Sequence, residues 1–131
     1  MKRAHKKLEV WQEGVVLATS VYELTEAFPK SEIYGLVSQM RRAVVSIPSN
    51  IAEGAARFST KEFAQFLSIA GGSLSELDTQ LEIAFKLGFI ESAQKTEIDS
   101  KIDSISAKLA GLINKVRVVK RERCTETVNG E

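Results

Sequence analysis

Six polar side chains, Gln39, Arg42, Ser46, Asn50, Glu53 and Arg57, recur at spacings of three and four in a run otherwise dense in Val, Ile and Ala. On a helix this spacing puts all six on one flank. Arg42 and Arg57 would there grip phosphates or a partner's carboxylates, because a guanidinium offers a fixed fork of donors. The competing reading is structural. Glu53 and Arg57 stand in the favourable i,i+4 order, worth about 0.2 to 0.5 kcal/mol if exposed, and a hydrogen-bonded polar set at a subunit boundary would set register. Glu53 among the arginines repels a nucleic-acid backbone, so structural roles outweigh the phosphate grip.

The rest of the chain offers little catalytic material. His5 is the single histidine and stands in a basic leader, far from the single cysteine, Cys124, which argues against a Cys-His nucleophile. The Glu-x-x-His pairs of a di-iron bundle are missing, as are Walker, Rossmann and EF-hand patterns. GGSLSE at 71–76 has paired glycines, Gly71 and Gly72, but no following lysine. Neither enzyme activity nor a cofactor or metal site is expected.

The elements that must position the polar set follow from size, charge and periodicity. At 131 residues the chain makes one domain, able to hide about two thirds of its unfolded-state surface. A lone cysteine gives no disulfide framework, so a reducing, cytoplasmic compartment is expected. The leader is followed by Glu9, Gln12, Glu13 and Gly14 rather than by an apolar segment, unlike a signal peptide. No apolar run approaches the roughly 18 to 20 residues that cross a bilayer, so no membrane partner is expected.

A net charge of +1 hides an uneven distribution. Residues 1–7 hold four Lys or Arg and no acid, residues 115–123 hold five and one acid, and the 107 between them hold nine basic and fourteen acidic groups. Lys2, Arg3, Lys6 and Lys7 at one end, and Lys115, Arg117, Lys120, Arg121 and Arg123 at the other, can attract a phosphate backbone or an acidic partner, although solubilising helix ends use the same residues.

Apolar residues at three-and-four spacing predict an all-α, up-down-up-down antiparallel four-helix bundle over 8–120, between a basic leader at 1–7 and a polar tail at 121–131. The helices are expected at about 8–27, 32–57, 60–87 and 92–120. In the first, Leu8, Trp11, Val15, Ala18, Tyr22 and Thr25 form the stripe with Val21 and Leu24 beside it, and Phe28-Pro29 ends it. Ser31 is the expected cap of the second. Pro48 lies inside that helix's stripe, so either one helix bends there or a new one starts after Asn50, which has N-cap spacing to Glu53; the unbroken phase favours the bent helix. FSTKEF at 58–63 reads as a capping box, Ser59 with Glu62, plus a staple of Phe58 on Phe63.

The third helix keeps its phase across Gly71 and Gly72, which together cost about 2 kcal/mol relative to alanine. Either the chain loosens there, or Ala64, Ser68, Gly71 and Ser75 form a small-residue seam against another backbone; the intact phase favours the seam. Gly88 reads as a C-cap, and the tail from Cys124 is expected to be disordered. Outside the main stripes lie Val45, Ala52, Ala55 and Ala56 on the second helix and Ile69 and Ile83 on the third. A lone bundle needs one inward stripe per helix, so a second apolar face predicts homo-oligomerisation.

In LEVWQEG at 8–14, FPKSEIYGLVSQMRRAVVSIPSNIAEGAARFS at 28–59 and IAGGSLSELDTQL at 69–81, the chain resembles the small bacterial four-helix-bundle proteins encoded in intervening sequences of 23S ribosomal RNA genes. The likeness spans residues 8–119 and brings no catalytic residues with it. Related accessory proteins of diversity-generating retroelements form pentameric barrels whose basic outer surface engages a reverse transcriptase and RNA. The resemblance therefore implies a pentamer, with RNA, DNA or a reverse-transcriptase-like protein as partner. The structural motif it carries over is Gln39, Arg42, Ser46, Pro48, Asn50, Glu53, Gly54, Arg57, Ser73 and Glu76. The expected function is a non-enzymatic homo-oligomeric scaffold or adaptor; the alternative is a protein-interaction module with no nucleic-acid affinity.

Overall fold

A computed structural model describes the backbone from residue 3 to residue 129 and the side chains as far as Arg117. Four helices make the fold: α1 (Glu9–Thr25), α2 (Ser38–Ala55), α3 (Thr60–Lys86) and α4 (Ser92–Asn129). Each packs on the next, and α4 returns to α1, which closes an up-down-up-down antiparallel bundle with no strand among the described residues. Leu17, Met40, Ile47, Ile51, Leu67, Leu77, Leu81 and Ile105 fill its centre and are fully buried.

Local chemistry accounts for the helix boundaries. The Ser59 hydroxyl accepts the Glu62 N–H at 3.3 Å and starts α3. At its other end Gly88 adopts φ +78°, its N–H reaches the Phe85 carbonyl and that of Phe89 reaches Ala84, both at 3.0 Å, the paired bonds of a Schellman cap. Helix α2 runs without a break through Pro48. The proline forfeits one backbone bond, and its ring is the surface on which α1 rests: a Cβ on Gly14 would lie 3.3 Å from the Pro48 Cβ. A second close approach joins α2 to α3, where a Cβ on Gly54 would lie 2.7 Å from the Phe66 Cβ.

Several expectations need correction. The inward stripe of α1 is Val10, Gly14, Leu17, Val21 and Thr25, while Val15 and Tyr22 lie exposed; α1 is apolar around most of its girth, and the Gly14–Pro48 contact selects the face. The second helix does not begin at 32. Lys30–Glu32 form a 3-10 turn and Ile33–Val37 a π turn, with Gly35 at φ −108°, ψ −112°. Glu32, not Ser31, does the capping, its carboxylate accepting the Leu36 N–H at 3.1 Å. Phe58 is fully exposed, so the staple does not form; its intended partner Phe63 covers Gly54 instead.

Gly71 and Gly72 sit inside an unbroken helix, and among the described residues nothing comes within 4 Å of where their Cβ atoms would be, so no backbone closes on the expected seam at Gly71. Helix α4 continues to Asn129, beyond position 120 and through the segment expected to be a disordered tail. Between Lys120 and Asn129 the sequence holds no glycine or proline to stop it.

Candidate functional site

The polar set of α2 faces the neighbouring turn of α3. Ser46 and Ser73 hydroxyls meet at 2.8 Å, and Asn50 Nδ2 donates to the Ser46 carbonyl at 2.8 Å and to its hydroxyl at 2.9 Å. This bridge is part-buried. One turn on, Arg57 Nη2 donates to Glu53 Oε1 at 3.1 Å and its guanidinium lies 5.1 Å from the centre of the Phe66 ring. On α3, Gln80 Nε2 donates to Glu76 Oε1 at 3.3 Å. Pro48 and Gly54 serve helix crossings, and exposed Gln39 joins no side-chain bond among the described residues.

Arg42 is exposed and pairs with no described carboxylate. It lines a groove of about 770 Å³ at the end of α1 and start of α2, together with Tyr22, Lys30, Ile33, Tyr34, Arg41 and Val45. Two polar residues, Arg41 beside this groove and Gln80 on α3, are not singled out by the sequence pattern. Arg41 Nε donates to Thr25 Oγ1 at 3.0 Å, Nη2 reaches the Tyr22 carbonyl and Glu26 Oε1 at 3.3 Å, and the guanidinium stands 4.5 Å from the Tyr22 ring centre. It latches α2 to α1 through partners at least fifteen positions away. Gln80 is buried with its Oε1 unbonded, at a cost of about 1 to 3 kcal/mol; the only available hint was that it continues the Ser73–Glu76 spacing.

The antiparallel order brings the start of α1, the end of α2, the start of α3 and the far part of α4 to one end of the bundle. Arg3, Lys6 and Lys7 of the leader and Arg57, Lys61, Lys115 and Arg117 belong to these segments; the leader forms a 3-10 turn over Ala4–Lys7, rests on α1 and α2, and packs His5 edge-on to Trp11. Lys61 and Arg117 line a common groove between α3 and α4. Except for Arg57, none of these cations pairs with a described carboxylate. Lys2 lies outside the described residues, as do the side chains of Lys120, Arg121 and Arg123.

Just inside that end, Lys108 binds Glu13 at 2.5 Å and Glu9 at 3.1 Å, joining α4 to α1, and the Ser104 hydroxyl donates to Glu13. The hydrogen bond from Lys108, then that from Ser104, holds the Glu13 carboxyl below its ordinary value of 4.5, against the opposing effect of partial burial. Glu13, then Glu9, raises the Lys108 ammonium above its ordinary 10.5. A carboxyl depressed on folding stabilises the fold above its unfolded pKa and loses that contribution as pH falls through the folded value. Urea midpoints should therefore fall for the wild type as the pH drops below about 4.5, and Glu13→Gln should lower the neutral-pH midpoint and flatten the acid limb. An unchanged acid limb in the variant would show that the clamp does not contribute to stability.

No group of three His, Cys, Asp or Glu among the described residues could hold a metal ion, and none of their helices is long and apolar enough to cross a membrane. The arrangement suits recognition: hydroxyl and amide bridges, ion pairs, a basic end and uncovered apolar surface. These features define a small all-α four-helix-bundle protein. The chain belongs to the 23S rRNA-intervening sequence protein family, which it matches over residues 6–111. Its fold is similar to the crystal structure of a protein with unknown function from the S23 ribosomal protein family of Bacteroides thetaiotaomicron, with TM-score 0.75 and 23% identity over 80% of this chain and 95% of that one. Among curated proteins none matches.

Proposed function

We propose that this protein is a non-enzymatic, self-associating scaffold or adaptor whose basic bundle end engages a nucleic acid or a nucleic-acid-processing protein. What supports the reading is the up-down order of the helices, which puts the segments carrying Arg3, Lys6, Lys7, Lys61, Lys115 and Arg117 toward one end, without described carboxylate partners, in a chain whose net charge is only +1. Charge separated in this way makes a local positive field that the overall balance conceals. Exposed Val15, Val45, Ile69 and Ile83 supply the surface for self-association. Repeating the basic end in several copies, five by the family resemblance, raises avidity without any new contact. By the same resemblance the partner is RNA, DNA or a reverse-transcriptase-like protein.

Filter retention of a structured RNA tests the reading. Affinity is expected to drop steeply between about 50 and 200 mM salt, as counterion release requires. Combined Lys6→Glu, Lys7→Glu, Lys115→Glu and Arg117→Glu substitution should abolish retention while leaving the helical spectrum intact. RNA binding that ignores salt, or survives the reversal, would leave the pure protein-interaction module as the better account.

A further inference from the structure

We infer, resting on the basic-end reading proposed above, that the partner held there is unpaired RNA, one base stacking on Phe58 and the next nucleotide entering the groove between α3 and α4. Phe58 is fully exposed in the turn between α2 and α3. Its expected partner Phe63 covers Gly54, so the Phe58 ring is left open to solvent. Thr60, two residues further along the chain, lines a groove of about 550 Å³. Two residues of chain span at most about 7 Å, so ring and groove are near neighbours. Inside the groove Ile69 and Val116 are apolar, Gln65 and Ser68 are neutral and polar, and Lys61 of α3 faces the same space as Arg117 of α4. Neither cation pairs with a described carboxylate. Glu62, the acid in the first turn of α3, is not among the lining residues. Arg57, next to Phe58, is already held by Glu53 and the Phe66 ring, which leaves it as a fixed charge beside the platform.

Base pairing decides which form of nucleic acid fits. A duplex hides the faces of its bases and offers mainly phosphates, for which Lys61 and Arg117 suffice and to which an exposed phenyl ring and an apolar lining add nothing. Unpaired bases present open faces that stack on aromatic side chains while neighbouring cations track the backbone. Phe58, Lys61 and Arg117 supply both parts. The neutral groups favour RNA over DNA. A 2′-hydroxyl both donates and accepts, as do the Gln65 amide and the Ser68 hydroxyl, whose side chains bond to no described residue.

Fluorescence anisotropy with a short unstructured RNA, the same RNA annealed to its complement, and single-stranded DNA of the same sequence provides the test. At about 100 mM salt the wild type should hold the RNA strand about tenfold more tightly than the duplex, and more tightly than the DNA. Phe58→Ala and Phe58→Leu should each weaken binding of the strand by about five- to hundredfold and leave duplex binding unchanged. Phe58→Trp should keep the affinity, and its added indole emission should be quenched when RNA binds. Lys61→Ala should instead lower the salt slope by about 1 for strand and duplex alike. Because Phe58 is wholly exposed, its replacements leave the fold undisturbed. Equal affinity for strand and duplex, or strand binding indifferent to Phe58→Ala, would overturn the platform while leaving the basic-end reading standing. DNA held as tightly as RNA would overturn the assignment to RNA. Binding of no nucleic acid in any form would overturn both readings and favour an acidic protein partner.

Discussion

Gly54→Val should destabilise the bundle by about 3 kcal/mol, the upper part of the range for forcing extra methyl groups into a packed contact. A Cβ at this position would lie 2.7 Å from the Phe66 Cβ and 3.0 Å from Phe63 Cδ1, with the Phe63 carbonyl behind at 3.4 Å. The Phe66 Cβ moves only with its backbone, so relief requires α3 to back away from α2. That motion also pulls Ser73 from Ser46. Gly72→Ala is the control on the same pair of helices: nothing lies within 4 Å of its Cβ, and the gain in helix propensity is about 1 kcal/mol. Urea unfolding at one fixed protein concentration checks both, because association adds to apparent stability. Equal tolerance of the two substitutions would show that the helices do not meet at Gly54.

Leu77→Ala is the second large effect, expected to cost about 2 to 5 kcal/mol through lost transfer energy and the cavity left behind. Leu77 has no exposed surface. Ile69→Ala, eight positions earlier on the same helix, removes a comparable side chain from a half-exposed position, and at a protein concentration low enough to keep the copies apart it should move folding stability by no more than about 0.5 kcal/mol. The same urea titrations, run on the helical signal, separate the two. A large loss at Ile69 with little at Leu77 would mean that the inward face of α3 is assigned wrongly.

Much of the architecture was legible in residue order because it rests on short-range chemistry. The helical period, the Ser59 cap and the Gly88 turn depend on residues within about one turn of each other, and all three stand where the pattern put them. The unbroken phase across Pro48 and across Gly71-Gly72 likewise marked continuous helices. The polar spacing from Ser46 to Arg57 put the Asn50–Ser46 and Glu53–Arg57 contacts within reach along one helix.

Other features depend on what crosses from one helix to another. In α1 the residues Val10, Trp11, Val15, Leu17, Val21 and Tyr22 are apolar on several sides, so periodicity alone could not choose an inward face; contact between Gly14 and Pro48 did. Phe58 and Phe63 had staple spacing, but Gly54 offered Phe63 a surface on another helix. Arg41 found Thr25 and Glu26, Ser46 found Ser73, and Lys108 of α4 found Glu9 and Glu13 of α1.

The amino-acid order by itself thus determined where helices form and that they carry more apolar surface than one core requires. Only the tertiary structure decided which faces turn inward and which distant charges become neighbours. A helix forms through bonds four residues apart, whereas burial is a property of two surfaces brought together, and the second surface is not encoded in the spacing of the first.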